Sequence, residues 1–422
     1  MSEEKIPRRT ILSIYLIALA GNIAWAVENQ YYNVFLYNEI APVPLYVSLM
    51  VLITAFVSTF TTIIMGAISD VKGKRKFFMV YSFICWAITT ALFPFAAFVR
   101  PVLIAVFVAI LFDSIMTYFG ATAYDACFNA YVTDVTTLEN RGKAVGIMEI
   151  MVLIATLLIY ASAGFIIVAI GYYAFFIIIG VLTGLIGLAG ALVAKDAEKL
   201  KPLKISFWAH LRSTFQRDII KQNSDFFLLM IGLAIWSIGF NVYFPFIIVY
   251  LQHYIGLPLE LASIVMFFAL MVSIILGIPI GILIDKVGRK RIAIVSVILE
   301  SIALVWFAFS TEFILLVISG ISWVLLMTMW HISSQTWIKD LYPEEKYGQF
   351  SGYYLLFNVL IGMSIGPLIG GYISSIYGES ITIDGIPGNV PPPLIFIVGA
   401  IIIIFAIIPL LKAKELEKKR KD

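Results

Sequence analysis

Apolar residues fill this chain in long unbroken runs, and short stretches rich in charge, glycine and proline separate them. Twelve runs stand out, centred near residues 23, 57, 86, 117, 156, 183, 238, 272, 300, 326, 361 and 402. Each is close to or above the roughly 20 residues that an α-helix needs to cross a bilayer. The runs are continuous, not alternating, so they predict membrane-spanning helices and not the strands of an outer-membrane barrel.

The pattern repeats. Gly66 to Lys76 reads GAISDVKGKRK and Gly281 to Arg291 reads GILIDKVGRKR, 215 residues apart and each between two apolar runs. Asp134, Gly142 and Gly146 recur as Asp340, Gly348 and Gly352 at an offset of 206, and Trp25 and Tyr32 as Trp236 and Tyr243 at 211. Three sets of anchors in register point to duplication. The expected fold class is therefore an all-α integral membrane protein, with twelve transmembrane helices in two pseudo-symmetric six-helix bundles. Residues 1–194 would form the first bundle, 195–224 a linker and 225–422 the second. In the linker, Phe207, Trp208, Leu211, Phe215 and Ile219 fall opposite Arg212, Arg217 and Lys221, which predicts an amphipathic helix at the membrane interface.

Composition agrees with this reading. The chain is 61% hydrophobic and 13% charged, with a mean hydropathy of +0.98, far from the quarter or so of charged residues in soluble domains. The positions of the basic residues add an orientation. With Met1 inside, 28 of the 29 Lys and Arg fall at the termini or in the loops on that same side, and only Arg100 faces outward. Both termini are expected in the cytoplasm, and the first run is long enough to span, unlike a cleaved signal. The net charge of +3 follows topology and gives no reason to expect nucleic acid. Cys85 and Cys127 both sit in predicted spans, with no spacing for a disulfide or a metal.

The set Gly66, Asp70, Gly73, Lys74, Arg75, with its copy Gly281, Asp285, Gly288, Arg289, Lys290, resembles the loop signature of the major facilitator superfamily. The resemblance implies two helical bundles around a central solute cavity that opens alternately to each side of a cell membrane. It also implies a gating role for these ten residues, with spans 1, 4, 7 and 10 lining the cavity and spans 3, 6, 9 and 12 facing lipid. Asp70 would be held at the N-terminal end of span 11 by the helix dipole. Val71 departs from the signature, which has a basic residue there.

Five carboxylates lie at membrane depth with no Lys or Arg among them: Glu28, Asp113, Asp125, Glu149 and Glu300. An ionisable group there costs several kcal/mol unless it is neutralised, hydrated or paired, so each is a candidate for function. The excess is of one sign and favours a bound cation, either a coupling proton or sodium ion or a cationic solute. Asp125 and Glu149 fall at nearly the same depth on sequential helices and could share a proton. At the offset of 206, His331 is equivalent to Asp125 and Gln335 to Asn129. Asp125, Glu149, His331 and Asp113 form the candidate coupling set. A buried acid bonded to a backbone carbonyl, or a core histidine, is the plainer alternative for each. Glu300, on a span expected at the periphery, suits packing or an interface.

Span 1 is unusually polar. Asn22, Trp25, Asn29 and Tyr32 recur at spacings of three or four, which places an indole, a phenol and two amides on one face. Sugars suit such a surface, since their C–H faces stack on rings and their hydroxyls bond amides and carboxylates. The candidate solute-binding residues are Asn22, Trp25, Glu28, Asn29, Tyr32, Asn129, Trp236, Asn241, Gln335 and Asn358. Trp25-Ala26-Val27-Glu28, with Asp125 ahead of Asp134 and Arg141, is similar to the glycoside-cation symporters of the sucrose type. Span 4 lacks the Arg of the drug-antiporter branch, and the string Gly362, Gly366, Pro367, Gly370, Gly371 lies in span 11, not span 5. The function expected is proton-coupled symport of a sugar or other small polar solute, with proton-driven export of organic cations as the alternative. Solute, coupling cation and membrane lipid are the expected partners, with no cofactor. No Ser-His-Asp order, metal spacing or phosphate loop points to an enzyme.

Overall fold

The computed structural model describes residues 6–137, 140–197, 223–341 and 352–415. Among them, 11 helices are long and apolar enough to cross a membrane. In hydrocarbon a chain must satisfy every backbone N–H and C=O internally, and helices do so within one segment. The first four are α1 (Arg8–Ile40), α2 (Pro44–Lys72), α3 (Arg75–Phe98) and α4 (Val102–Val135). The next, Arg141–Val193, has 53 residues. At 1.5 Å per residue it would measure about 80 Å unbroken, more than twice the hydrocarbon thickness. It breaks at Gly171, where φ is 81°, a conformation that a Cβ would strain. The break yields α5 (141–170) and α6 (172–193), and with them the twelve crossings that the apolar runs predict.

The remaining spans are α7 (Ser224–His253), α8 (Leu259–Val287), α9 (Arg289–Phe309), α10 (Phe313–Asp340), α11 (Gly352–Tyr377) and α12 (Leu394–Lys412). A two-stranded hairpin, β1 (Ser380–Ile383) and β2 (Ile386–Asn389), lies between α11 and α12. Contacts divide the chain into two compact units. The N-terminal unit comprises Met1–Pro42, Ile53–Thr214 and Thr382–Pro387, and the C-terminal unit comprises Val43–Leu52, Phe215–Ile381 and Gly388–Asp422. The amphipathic helix expected between them, and Gly348, lie outside the described residues.

Within the N-terminal unit, α1 packs along α5 and α6, and α3 lies against α6 and α4. Within the C-terminal unit, α7 packs on α11 and α12, while α9 lies against α10 and α12. Both cores are built from aromatic rings. Trp86, Tyr31, Phe35 and Phe83 are fully buried in the first, and Trp323, Trp330, Tyr243 and Tyr250 in the second. The outer faces remain apolar: Phe107, Leu185, Ile278 and Ile314 are each more than 60% exposed, which suits a hydrocarbon solvent and not water.

Among the described residues, three spans contain π-helical turns: Glu28–Tyr32 and Leu36–Ile40 in α1, Ala121–Phe128 in α4, and Leu356–Ile361 in α11. A π turn holds an extra residue, so every side chain beyond it rotates relative to the α-helical stripe before it. The turns surround Glu28, Asp125 and Asn358.

Candidate functional site

In the N-terminal unit, Glu28 opens the first π turn and is 9% exposed. Thr117 on α4 donates its hydroxyl to Glu28 Oε1 at 3.2 Å. Asp113, one turn earlier on α4, is 2% exposed, and its Oδ1 has no hydrogen-bond partner among the described residues. Asp125 lies in the π stretch of α4 and is half-buried. Glu28 is within electrostatic reach of both Asp125 and Asp113. None of the three forms an ion pair with Lys or Arg among the described residues. Three carboxyl groups thus gather between α1 and α4 with a hydroxyl as the hydrogen-bond donor to one of them.

The aromatic and amide residues of α1 divide at the π turn. Trp25 lies before it, half-buried, with its ring centroid 5.2 Å from that of Trp86 on α3. Gly120 on α4 admits both rings, for a Cβ there would sit 2.9 Å from Trp86 and 3.1 Å from Trp25. Asn22 donates to Tyr124 Oη at 2.7 Å. Asn29 is half-buried and donates to the Trp25 carbonyl at 2.8 Å. Tyr32, expected on the same face as Trp25, turns into the core, 1% exposed and stacked on Phe93 at 3.8 Å. The extra residue of the π turn causes that rotation. Tyr32 remains within electrostatic reach of Asp113 and Glu28, as part of their wall.

Glu149 is exposed on α5 and makes no hydrogen bond to Asp125 among the described residues, although both act on Tyr124. Equal depth therefore does not bring the two acids together as a pair. Depth fixes position along the helix axis and leaves the angle around it free, and Asp125 sits where α4 is rotated. Asn129 is exposed, donating to the Asp125 carbonyl at 3.1 Å.

In the C-terminal unit, Trp236 Nε1 donates to Glu300 Oε2 at 3.0 Å, with Trp330 at 5.8 Å and Phe240 at 5.3 Å from the Trp236 ring. A polar network runs beside it. Gln335 of α10 donates to Tyr354 Oη of α11, and Asn358 donates to the same oxygen at 3.0 Å. The Ser237 hydroxyl of α7 donates to the Asn358 carbonyl at 2.6 Å, and Asn241 donates to the Ser237 carbonyl at 2.8 Å. The unit thus joins Asn241, Gln335 and Asn358. His331 is exposed on α10. Sequence reasoning overlooked Ser237, Thr117 and Trp86, small or apolar residues whose weight comes from their neighbours. The signal for Trp86 was its position, eleven residues into a helix whose copy carries Glu300 at the same step.

The repeated loop motif is built alike in both units. Arg75, 4% exposed, donates to Asp70 and Ser69 and, at 3.0 Å, to Asp134. Arg289 pairs with Asp340, and Lys290 Nζ donates to the carbonyls of Leu411 at 2.8 Å and Ala413 at 2.7 Å. Gly73 and Gly288 adopt φ of 60° and 106°, which accounts for glycine in both copies. Gly66 and Gly281 are half-buried, on α2 and α8, while Lys74 and Asp285 are exposed. Each unit adds an acid that the motif does not contain. Asp196, just after α6, accepts from Lys76 N at 2.9 Å, and Glu415, just after α12, accepts from Arg289 N at 2.9 Å and Lys290 N at 3.3 Å. Both carboxylates cap a helix N-terminus, where the unsatisfied N–H groups and the dipole favour negative charge.

A duplicated set of apolar crossings, with the same arginine–aspartate pair and the same capped helix start in each unit, defines a multi-pass membrane transporter architecture. The family model of the Major Facilitator Superfamily matches residues 10–277 and 229–422, so the chain belongs to that superfamily. It is a transporter and not an enzyme. Among solved structures it is similar to the nucleoside transporter NupG, at 14% identity and a TM-score of 0.72, covering 96% of this chain and 100% of that one. It is similar to a D-xylose-proton symporter, at 15% identity, a TM-score of 0.70 and coverage of 96% and 100%. A bacterial homologue of the human lysosomal transporter Spinster matches at 16% identity and a TM-score of 0.67, over 97% of this chain and 96% of that one. At such identities these likenesses are of fold. A comparison with curated protein sequences gives no match.

Proposed function

We propose that this transporter imports a sugar or other small polar solute together with protons, by alternating access at the cell membrane. One observation carries the reading: Glu28, Asp113 and Asp125 come together in the N-terminal unit, and none has a basic partner among the described residues. Unpaired carboxylates inside a membrane protein are expensive to keep charged. A bound proton removes that cost, and its release restores it, so the group can couple proton movement to a change of state. Trp25, Asn29, Trp236, Asn241, Gln335 and Asn358 supply rings and amides for a hydroxylated solute. Two fold neighbours are named for nucleosides and for D-xylose with protons, which supports a neutral polar solute here.

In the same reading, Asp125 and Glu28 are the principal coupling and binding acids, and Glu149 and His331 act in support. The paired motifs around Asp70 and Asp285 govern the change of state, and both termini face the cytoplasm. Proton-driven export of organic cations is the second reading, favoured by rings and acids in one place, where a cation–π contact gains from both.

Proteoliposomes separate the two readings. A panel of glycosides, nucleosides and quaternary amines is tested under pH and sodium gradients imposed separately. An inside-alkaline gradient should drive accumulation of a neutral glycoside, without a sodium requirement. Quaternary-amine efflux with no glycoside binding would replace import by export.

A further inference from the structure

The two units place different side chains at one equivalent position. Past the motif glycines the register between the units is 214, one less than the 215 before them, because Arg75 and Arg289 hold the equivalent aspartates Asp134 and Asp340, and Lys76 N and Lys290 N donate to the equivalent capping acids. Trp86 and Glu300 each stand eleven steps beyond those arginines. Trp25 and Trp236 are equivalent by the offset of 211. In the N-terminal unit the pair is indole against indole, with ring centroids 5.2 Å apart. In the C-terminal unit it is indole against carboxyl, Trp236 Nε1 to Glu300 Oε2 at 3.0 Å. An apolar ring satisfies packing at this position, so the carboxyl group is not a requirement of the fold.

Glu300 is 0% exposed, and its Oε1 has no hydrogen-bond partner among the described residues. Trp236 and Tyr243 face it from α7, and Tyr243 is within electrostatic reach of the Glu300 carboxyl. From α8, α10 and α12 no titratable or charged group among the described residues reaches it. Beyond Tyr243 lie rings, Trp323 at 5.4 Å and Phe396 at 5.3 Å. A hard metal cation takes several oxygen ligands, which this surrounding does not offer. A charged carboxylate with one orphaned oxygen is costly in such a place, whereas the neutral acid is tolerated.

We infer that Glu300 is a proton-binding site of the C-terminal unit, separate from the carboxylates of the N-terminal unit, and that its charge is sensed by Trp236. The proton binds at Oε1, while the indole keeps its own N–H and donates to Oε2 throughout. Ionisation makes that hydrogen bond charge-assisted and holds the ring tightly; protonation weakens the hold. Proton binding in this unit thereby acts on the indole that the importer reading places against solute. The test uses no solute, so it stands or falls apart from that reading.

The full-length protein in nanodiscs is examined by infrared difference spectroscopy and tryptophan emission, stepped from mildly acidic to mildly alkaline pH. A carboxyl C=O band should disappear on the alkaline side, and Glu300→Gln, which keeps an acceptor for the indole, should lack it. The pH-dependent part of the emission should be lost in both Glu300→Gln and Trp236→Phe and kept in Asp125→Asn. In Trp236→Phe the band should persist at higher frequency, having lost its donor. A Glu300 band unchanged by pH would make the residue a permanently neutral structural acid and overturn the inference. So would pH-dependent emission that survives Glu300→Gln, or a band that does not move in Trp236→Phe.

Discussion

Arg75 donates Nε to Asp134 Oδ2 at 3.0 Å, 59 residues away in sequence, while its terminal nitrogens hold Asp70 and Ser69 at the end of the preceding helix. One buried guanidinium thus ties the ends of α2, α3 and α4 together. The fork geometry matters, because a lysine offers a point charge that cannot engage two carboxylates and a hydroxyl in fixed directions. Arg75→Lys should lower the thermal transition in detergent, and Arg75→Ala should lower it further. Hydrogen bonds to charged groups contribute about 1.5–3 kcal/mol each, and the partial exposure of Asp70 and Asp134, 31% and 22%, reduces that. A loss of roughly 1–3 kcal/mol is expected for Arg75→Ala. An unchanged transition temperature would show that the pair adds nothing to stability.

Gly120 is expected to tolerate no side chain. A Cβ there would sit 2.9 Å from the Trp86 ring and 3.1 Å from Trp25, and the Trp86 indole is not free to withdraw. Trp86 is fully buried, with its Nε1 donating to Met116 Sδ at 2.7 Å. Gly120→Val should destabilise the protein by about 1–3 kcal/mol, as overpacked sites do. It should also shift tryptophan emission and impair transport, with Gly120→Ala intermediate. Normal emission and transport in Gly120→Val would remove Trp25 from the proposed solute surface.

Much of the fold was legible because its signals are local and repeated. Runs of apolar residues report spans directly, and the copied motif from Gly66 and from Gly281 reports the duplication. The site was legible in residue type more than in direction. Helical spacing put Tyr32 beside Trp25, but the π turn at Glu28–Tyr32 rotates it into the core, and an i→i+5 hydrogen bond leaves no mark in hydrophobic periodicity. The position of its span makes Glu300 peripheral in sequence, whereas the structure buries it fully and sets it against Trp236 of α7. Asp196 and Glu415 belong to none of the motifs in the sequence. The trace they left was an acidic residue soon after both the sixth and the twelfth apolar runs, a short-range echo of the duplication.

Those two acids give a matched pair of tests. Glu415 accepts two backbone N–H groups at the start of α9, and Asp196 accepts one at the start of α3. Loss of a capping side chain costs about 0.5–2 kcal/mol. Glu415→Ala and Asp196→Ala should each lower the thermal transition. Glu415→Gln, which keeps an acceptor and drops the charge, should recover part of the loss. If Glu415→Gln and Glu415→Ala are equal, the dipole interaction dominates over the hydrogen bonds.

The coupling proposal is most exposed at Asp125. A coupled carrier ties solute movement to protonation, so replacing the acid that binds the proton by its amide should separate the two fluxes and leave the solute path intact. Asp125→Asn should therefore abolish uphill uptake in a pH gradient yet retain counterflow between equal solute concentrations. The pH dependence of the residual exchange should flatten. Glu28→Gln distinguishes a neighbour from the coupling acid itself. Glu28 accepts from Thr117 through one oxygen, and glutamine preserves that acceptor. If Glu28 serves the solute, its variant should weaken solute binding while leaving whatever transport persists dependent on pH. Uphill accumulation by Asp125→Asn at the parental level would exclude Asp125 as the coupling residue. Complete loss of solute binding in that variant at every pH would make Asp125 a solute ligand, and would move the proton to Glu28 or Asp113.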